Sequence, residues 1–278
     1  MPEGHTLHRL AGELADALGR EPLASSSPQG RFEGGASLVD GRSLEAAEAW
    51  GKHLLLHVEG LPEVGHVHLG LYGGWRVVRH EPGETPPVVG QVRWRLAVPT
   101  ATADLRGPTA CELLSPDEVG ALLARLGPDP LRPDADLERA WARISRSRTS
   151  VAVLLMDQSV LAGVGNVYRA EVLFRHAIDP WTPGNRLPRE VWEAVWADLV
   201  VLMTEGVRTG RIDTVRPEHE PEAMGREPRA DDHGGEVYVY RRDGRPCHVC
   251  GTDVRTERVA ARNLFWCPRC QRADRLRQ

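Results

Sequence analysis

The sequence predicts a mixed α+β protein in several parts: an N-terminal β-sandwich, a helical domain, and a C-terminal zinc-finger β-hairpin. Three observations carry this. Between residues 20 and 110, short apolar runs alternate with polar positions and are broken often by Gly and Pro, as strands in a sandwich or barrel are. From Asp136 onward the apolar spacing becomes helical. Near the end, Cys247-His248-Val249-Cys250 is followed after sixteen residues by Cys267-Pro268-Arg269-Cys270, the pairing that a tetrahedral Zn²⁺ needs. The expected boundaries are residues 1–127, a linker at 128–136, a helical domain at 137–235 and a zinc module at 236–278.

In chain order, Leu7, Leu10, Leu14 and Leu18 mark one face of a helix from about residue 4 to 18, closed by Gly19. Such a helix anchors the N-terminus against a core. Leu54-Leu55-Leu56 is a buried strand run after Gly51-Lys52, with that pair on the same early strand. Val92, Trp94, Leu96 and Val98 alternate as a strand. In Leu69-Gly70-Leu71-Tyr72-Gly73-Gly74-Trp75 the glycines can push Leu71 and Tyr72 outwards; on its own the stretch reads as a turn within the core. Ser115-Pro116-Asp117-Glu118 opens a helix, with Ser115 as cap, proline in the first position and Glu118 completing a capping box. That helix ends after Arg125, before Gly127, and the proline-rich 128–133 is a stiff linker.

The helical part begins at Asp136-Leu137 and runs to Ile144, then Ser150-Val151 to Met156. Gly163-Val164-Gly165-Asn166 lacks the third glycine of a dinucleotide fingerprint and lies among helices, which argues against a Rossmann unit. Asn166 reads as the cap of a helix to Arg175, and its open N–H groups suit a phosphate or simply a tight turn. Val191, Val195, Leu199 and Leu202 define a long amphipathic helix. Residues 217–235 read as a polar, partly mobile loop, and Glu236 to Arg242 as a strand alternating Val and Tyr. In the zinc module, Val254 to Val259 and Asn263 to Trp266 form a hairpin. Its turn is expected at Ala261-Arg262-Asn263, with Arg262 at the tip. Disulfides compete with zinc for the four cysteines, but nothing else in the chain suggests an oxidising compartment. Cys111 reads as a small core residue.

Composition narrows the partners. The 278 residues carry a net charge of −4, yet residues 241–278 hold ten arginines against four acids, so that segment is +6 and the rest −10. A compact basic module suits a phosphate backbone. No run of eighteen apolar residues and no signal peptide is present, which predicts a cytoplasmic protein with no membrane partner. Of 35 basic side chains the only lysine is Lys52. Lysine, unlike arginine, gives up its proton when its surroundings lower its pKa, so Lys52 is a candidate for chemistry; a surface lysine is the plain alternative. Removal of Met1 would leave a chain beginning with Pro2, a secondary amine able to attack an electrophilic carbon and leave an iminium ion, with Glu3 beside it as proton donor. Taken alone, Pro-Glu is simply how a chain starts.

Together, Pro2-Glu3-Gly4, Gly51-Lys52, Gly163-Val164-Gly165-Asn166 and the terminal cysteine pairs with Arg262 resemble the formamidopyrimidine-DNA glycosylase/endonuclease VIII family, over the whole chain and in order. The resemblance implies an N-terminal β-sandwich, a helix–two-turn–helix domain and a zinc finger. It implies a bifunctional DNA glycosylase/AP lyase of base-excision repair acting on damaged double-stranded DNA. By position, Pro2 would be the Schiff-base nucleophile, Glu3 the proton donor, Lys52 an aid to β-elimination and Arg262 to δ-elimination. Gly70, Leu71, Tyr72, Arg125 and Asn166 would contact DNA, with Leu71 and Tyr72 filling the gap left by an extruded base. Cys247, Cys250, Cys267 and Cys270 would hold one structural zinc, with no small-molecule cofactor, and a monomer suffices. Typical members begin Pro-Glu-Gly-Pro-Glu; this chain has His5-Thr6 and lacks the later acid. Leu71-Tyr72-Gly73 resembles the endonuclease VIII branch, which favours oxidised pyrimidines over oxidised purines. The competing classes are a non-catalytic damaged-DNA-binding protein on the same scaffold, and a zinc-ribbon transcription factor, for which no recognition helix stands out.

Overall fold

A computed structural model describes residues 2–230 and 235–272. The chain divides into two compact units, residues 1–125 and 126–278. In order, the first contains α1 (Gly4–Leu18), β1 (Ala24–Ser26), α2 (Glu33–Val39), β2 (Leu44–Trp50), β3 (His53–Val58), β4 (Val64–His68), β5 (Gly74–Arg79), β6 (Val92–Val98), β7 (Ala101–Arg106), β8 (Ala110–Leu114) and α3 (Pro116–Arg125). The second contains α4 (Leu137–Ile144), α5 (Val151–Leu154), α6 (Asn166–Arg175), α7 (Arg189–Thr209), α8 (Pro221–Met224), β9 (Arg255–Val259) and β10 (Arg262–Trp266).

Two four-stranded antiparallel sheets, ordered β1-β6-β7-β5 and β2-β3-β4-β8, make the expected sandwich. Its core takes Leu54, Leu56 and Val67 from one sheet and Trp94, Leu96, Ala103 and Leu105 from the other. The leucine face of α1 completes it, with Leu7 and Leu14 fully buried. The alternation in β6 therefore does what period 2 requires, every second side chain turning inward. The indole N–H of Trp94 donates to Ser25 Oγ at 3.0 Å, so the largest core ring leaves no polar atom stranded.

Several local expectations are corrected. Gly51 and Lys52 do not lie on a strand. They are the two-residue turn of the β2–β3 hairpin, with Gly51 at φ 58°, the left-handed value such turns need. Helix α2 escaped the reading because Gly34 and Gly35 break its apolar pattern; Gly35 packs so closely on the Phe32 ring that a Cβ there would lie 2.2 Å from it. Residues 128–130, expected in the linker, are buried within the second unit, where the Ala162 N–H donates to the Pro128 carbonyl at 3.0 Å. Helix α5 stops at Leu154 rather than Met156. The first residue of α6 is Asn166 itself, and Gly165 is its cap. Residues 217–230 carry α8 and a short 3₁₀ turn at Pro217–His219; residues 231–234 of the expected loop lie outside the described residues.

The expected strand 236–242 is not one. The N–H groups of Tyr238, Val239 and Tyr240 all point at the carboxylate of Glu171, fully buried on α6, at 2.7, 2.9 and 2.8 Å. Thr214 Oγ1 donates to the same carboxylate at 2.6 Å. A chain wound around one anion cannot alternate its side chains, and Val237, Tyr238, Val239 and Tyr240 are all buried. The hairpin turn also shifts: Ala260 and Ala261, at φ 48° and 61°, make it, and Arg262 starts β10 paired with Val259. Arg262 thus adjoins the tip without forming it. Among the described residues no helix is long and apolar enough to cross a membrane.

Candidate active site

In the first unit, Glu3 caps α1 with its side chain fully buried, and its N–H reaches Thr6 Oγ1 at 3.4 Å. Pro2 just before it is half-buried. His5, on the first turn, is buried, and burial followed by the nearby N-terminal charge brings its pKa down to about 4. Helix α1 packs along β2 and β3, the strands that the Gly51–Lys52 turn joins.

The loop between β4 and β5 is built from glycine. Gly70 sits at φ 68°, and a Cβ on it would fall 1.9 Å from Thr109 Oγ1; one on Gly73 would fall 2.3 Å from the Leu69 carbonyl oxygen. That oxygen accepts the Gly73 N–H at 3.0 Å, closing the turn. Leu69 goes inward, while Leu71 is 39% and Tyr72 92% exposed. The reading of this stretch as a core turn is therefore overturned: two large apolar side chains stand in solvent. Strand register brings the loop and Lys52 to the same end of one sheet, because Trp50 faces His53, His53 faces His68, and His68 faces Ala110.

That row contains residues missed in the sequence. His53 Nδ1 lies 2.9 Å from His66 Nε2, and His66 Nδ1 lies 2.9 Å from Glu112 Oε1. The His53 and His68 rings meet edge-on with centroids 4.9 Å apart. Burial, then His66, His68, Arg125 and Lys52, push the His53 pKa down to about 3, and the same kind of surroundings lower that of His68. Arg125, exposed at the end of α3, is thus near enough for its charge to act at this end of the sheet.

In the second unit, α6 and the zinc hairpin share one contact. Asn166 Nδ2 donates to the Asn263 carbonyl at 3.0 Å, and Arg169, fully buried, donates to the same oxygen at 3.3 Å and to Asn166 Oδ1. Asn166 and Arg262 are therefore brought together, since Asn263 follows Arg262 on β10. The four cysteine sulfurs lie within 4.8 Å of one another, with Cys247 to Cys270 at 3.9 Å and Cys250 to Cys267 at 3.4 Å. A tetrahedron of Zn–S bonds spaces its sulfurs at about 3.8 Å, so the donor set fits zinc. Four thiolates fill the coordination sphere and leave no place for water, which makes the ion structural.

Comparison with known proteins places these features. Residues 1–111 match the formamidopyrimidine-DNA glycosylase N-terminal domain, 126–217 the formamidopyrimidine-DNA glycosylase H2TH domain, and 244–273 the zinc finger found in FPG and IleRS. The chain is 52% identical over 275 residues to Endonuclease 8 1 of Mycobacterium tuberculosis (strain ATCC 25618 / H37Rv), covering 98% of this chain and 100% of the relative. It is 30% identical over 283 residues to Endonuclease 8 of Escherichia coli O17:K52:H18, covering 98% and 100%. The crystal structure of Lactococcus lactis Fpg in complex with DNA containing an abasic site superposes with a TM-score of 0.76 at 21% identity, over 97% of this chain and 99% of that one. Fold, domain order and cysteine site define a DNA glycosylase/AP lyase of base-excision repair. The chain belongs to the formamidopyrimidine-DNA glycosylase/endonuclease VIII family, in its endonuclease VIII branch.

Proposed function

We propose that the chain excises oxidised pyrimidines from duplex DNA through a Schiff base on Pro2 and then cuts the strand by β,δ-elimination, acting as a monomer without a small-molecule cofactor. The observation that carries this is that Pro2 sits directly before a buried Glu3 at the head of a packed helix. An α-amino group has a pKa of about 8, so a useful fraction is unprotonated near neutrality.

The extruded nucleotide costs on the order of a few kcal/mol to unstack, least for a lesion that pairs badly. Leu71 and Tyr72, already in solvent, suit the role of wedges in the vacated space. The Pro2 nitrogen attacks C1′ as the C1′–N bond to the base breaks, and Glu3 supplies a proton. The nitrogen gives up its proton and the C1′–O4′ bond of the sugar breaks, with a proton going to O4′; the iminium so formed acidifies the C2′ hydrogen. Removal of that proton, with Lys52 assisting, expels the 3′ phosphate; a second elimination expels the 5′ phosphate. Arg262, with Asn166 and Arg125 on the backbone, stabilises the charge on the departing phosphates. The Leu71-Tyr72-Gly73 loop, which resembles the endonuclease VIII branch, supports the choice of pyrimidine lesions.

Borohydride trapping tests this, using untagged protein with Met1 removed and an oligonucleotide with one abasic site. Wild type should give a slow-migrating covalent adduct mapping to Pro2, lost in Pro2→Gly, and a lesion panel should show faster cleavage at oxidised pyrimidines than at oxidised purines. Binding with no adduct would leave a protein that merely holds damaged DNA.

A further inference from the structure

Strands β4 and β8 pair in one sheet, with His68 at the end of β4 facing Ala110 at the start of β8. Strands β5 and β7 pair in the other, with Gly74 at the start of β5 facing Arg106 at the end of β7. The chain therefore crosses from sheet to sheet twice in the same place, once through residues 69–73 and once, in the opposite sense, through residues 107–109. Register fixes both ends of both crossings. Two short segments tied down at neighbouring points have to pack against each other, and where their backbones approach closely the residue needs to lack a Cβ.

The Thr109 N–H donates to the His68 carbonyl at 2.8 Å, which ties the second crossing to the start of the first. The Gly70 N–H donates to His68 Nδ1 at 3.1 Å; a backbone amide can only donate, so that ring nitrogen is the acceptor. Gly70, at φ 68°, turns its bare Cα toward Thr109, where a Cβ would lie 1.9 Å from Thr109 Oγ1 and 3.2 Å from Thr109 Cβ. Gly107 backs onto the Tyr72 carbonyl oxygen and the Gly73 Cα, which a Cβ on it would meet at 3.7 and 3.8 Å. A Cβ on Gly73 would in turn lie 3.0 Å from the Gly107 carbonyl oxygen. All of these contacts grip the backbone of the β4–β5 loop. The side chains of Leu71 and Tyr72 stay in solvent, so the pair is held at its root and open at its tip.

We propose that Thr109 is the positioning residue of the wedge: its side chain, seated on Gly70 while Gly107 backs the Tyr72 carbonyl, closes the β4–β5 loop from the β7–β8 side and fixes the attitude in which Leu71 and Tyr72 meet the duplex. This rests on the reading of Leu71 and Tyr72 as the side chains that fill the space of an extruded base. Thr109 acts through Gly70, and by shape. A loop fixed when the protein folds adds no ordering cost when DNA binds, whereas a loose one has to be ordered as the base leaves the stack. That cost falls on extrusion, and it is smallest at a site whose base is already gone.

The test compares single-turnover rates of full-length, zinc-loaded protein on two duplexes that differ at one position, an oxidised pyrimidine in one and an abasic site in the other. Thr109→Ala should slow excision of the pyrimidine about tenfold, and should slow abasic-site cleavage several times less. Thr109→Val, which keeps the branched shape without the hydroxyl, should restore most of the excision rate. Gly70→Ala should also slow excision, and the double variant should lose less than the two single losses combined, because both act at one contact. In the free protein, amide order parameters at Leu71 and Tyr72 should fall in Thr109→Ala and return in Thr109→Val. Equal losses on the two duplexes, a Thr109→Val as slow as Thr109→Ala, or order parameters that do not move would each overturn the proposal. Leu71→Ala combined with Tyr72→Ala reads the wedge itself. Excision at the wild-type rate in that variant would remove the wedge reading, while the order parameters would still report whether Thr109 sets the loop.

Discussion

The sandwich of residues 1–125 and the unit that follows it bury different material. Between the two sheets the first unit is apolar, and its buried polar groups sit at the margins: Glu3 and His5 at the terminus, His66 on the outer face of one sheet, and the Arg95–Asp104 pair, 2.7 Å apart, on the other. The second unit places Glu171 and Arg169 fully buried on one helix and wraps backbone around them, then closes with four cysteines. An apolar core tolerates small errors of placement, whereas a buried charge demands every one of its partners. The first unit is thus suited to carry a terminus and a loop on a conventional frame. The second gains fixed backbone, including the β10 carbonyl that Asn166 and Arg169 share, at the cost of depending on a few groups.

Removing zinc should expose this contrast most strongly. Chelation, or Cys267→Ser, is expected to cost on the order of 10 kcal/mol in the zinc module, enough to unfold it. Hydrogen exchange followed by mass spectrometry should then show lost protection across residues 244–272 with the strands of the sandwich unchanged. Equal loss in both units would break the comparison. Next in size is Glu171→Gln. The amide keeps one acceptor and turns a donor toward backbone N–H groups, and roughly 3 kcal/mol should be lost in urea melts. Faster exchange at Tyr238, Val239 and Tyr240 is the local sign, and unchanged exchange there would refute the account of how 236–242 is held.

Acid should probe the first unit with a smaller effect. His5 titrates at about 4 when folded against 6.5 for an exposed imidazole. As pH falls below about 6.5 the unfolded chain takes a proton that the folded chain refuses, so stability declines until about pH 4, where the folded form is protonated as well. The loss from His5 is on the order of 3 kcal/mol. His53, at about 3, extends the same decline lower. His5→Gln should flatten the curve between pH 6.5 and 4, and an unaltered pH dependence in that variant would remove His5 as its source.

What could be read from the chain was what is encoded locally. The leucine spacing of α1, the alternation of β6, the Ser115–Glu118 cap, with Ser115 N–H on Glu118 Oε2 at 2.8 Å, and the cysteine spacing each fit within one element. Illegible features depend on remote partners. The alternation of 236–242 looks like a strand because nothing nearby announces Glu171, some seventy residues upstream. The histidine chain needs the β3–β4–β8 register, which places His66 against a carboxylate 46 positions away. Two alanines in left-handed backbone give no turn signal, so the expected hairpin tip drifted onto Arg262. Leu71 and Tyr72 looked like core because apolar side chains between glycines usually are; their exposure follows from the closure of Gly73 onto Leu69.

The contact at Asn263 also sets an order of assembly. Asn166 waits 97 residues for the carbonyl it donates to, and Glu171 waits 67 for the first amide that meets it. During synthesis the strands of residues 24–114 can pair as soon as they emerge, because each finds its neighbours within the first unit. Helix α6 instead leaves the ribosome with a buried carboxylate and guanidinium still in water, and it acquires its native surroundings when the last hairpin arrives. A chain stalled before β10 would hold a finished sandwich and a second unit still lacking the carbonyl that Asn166 and Arg169 share, which makes the arrival of β10 the checkpoint for that unit.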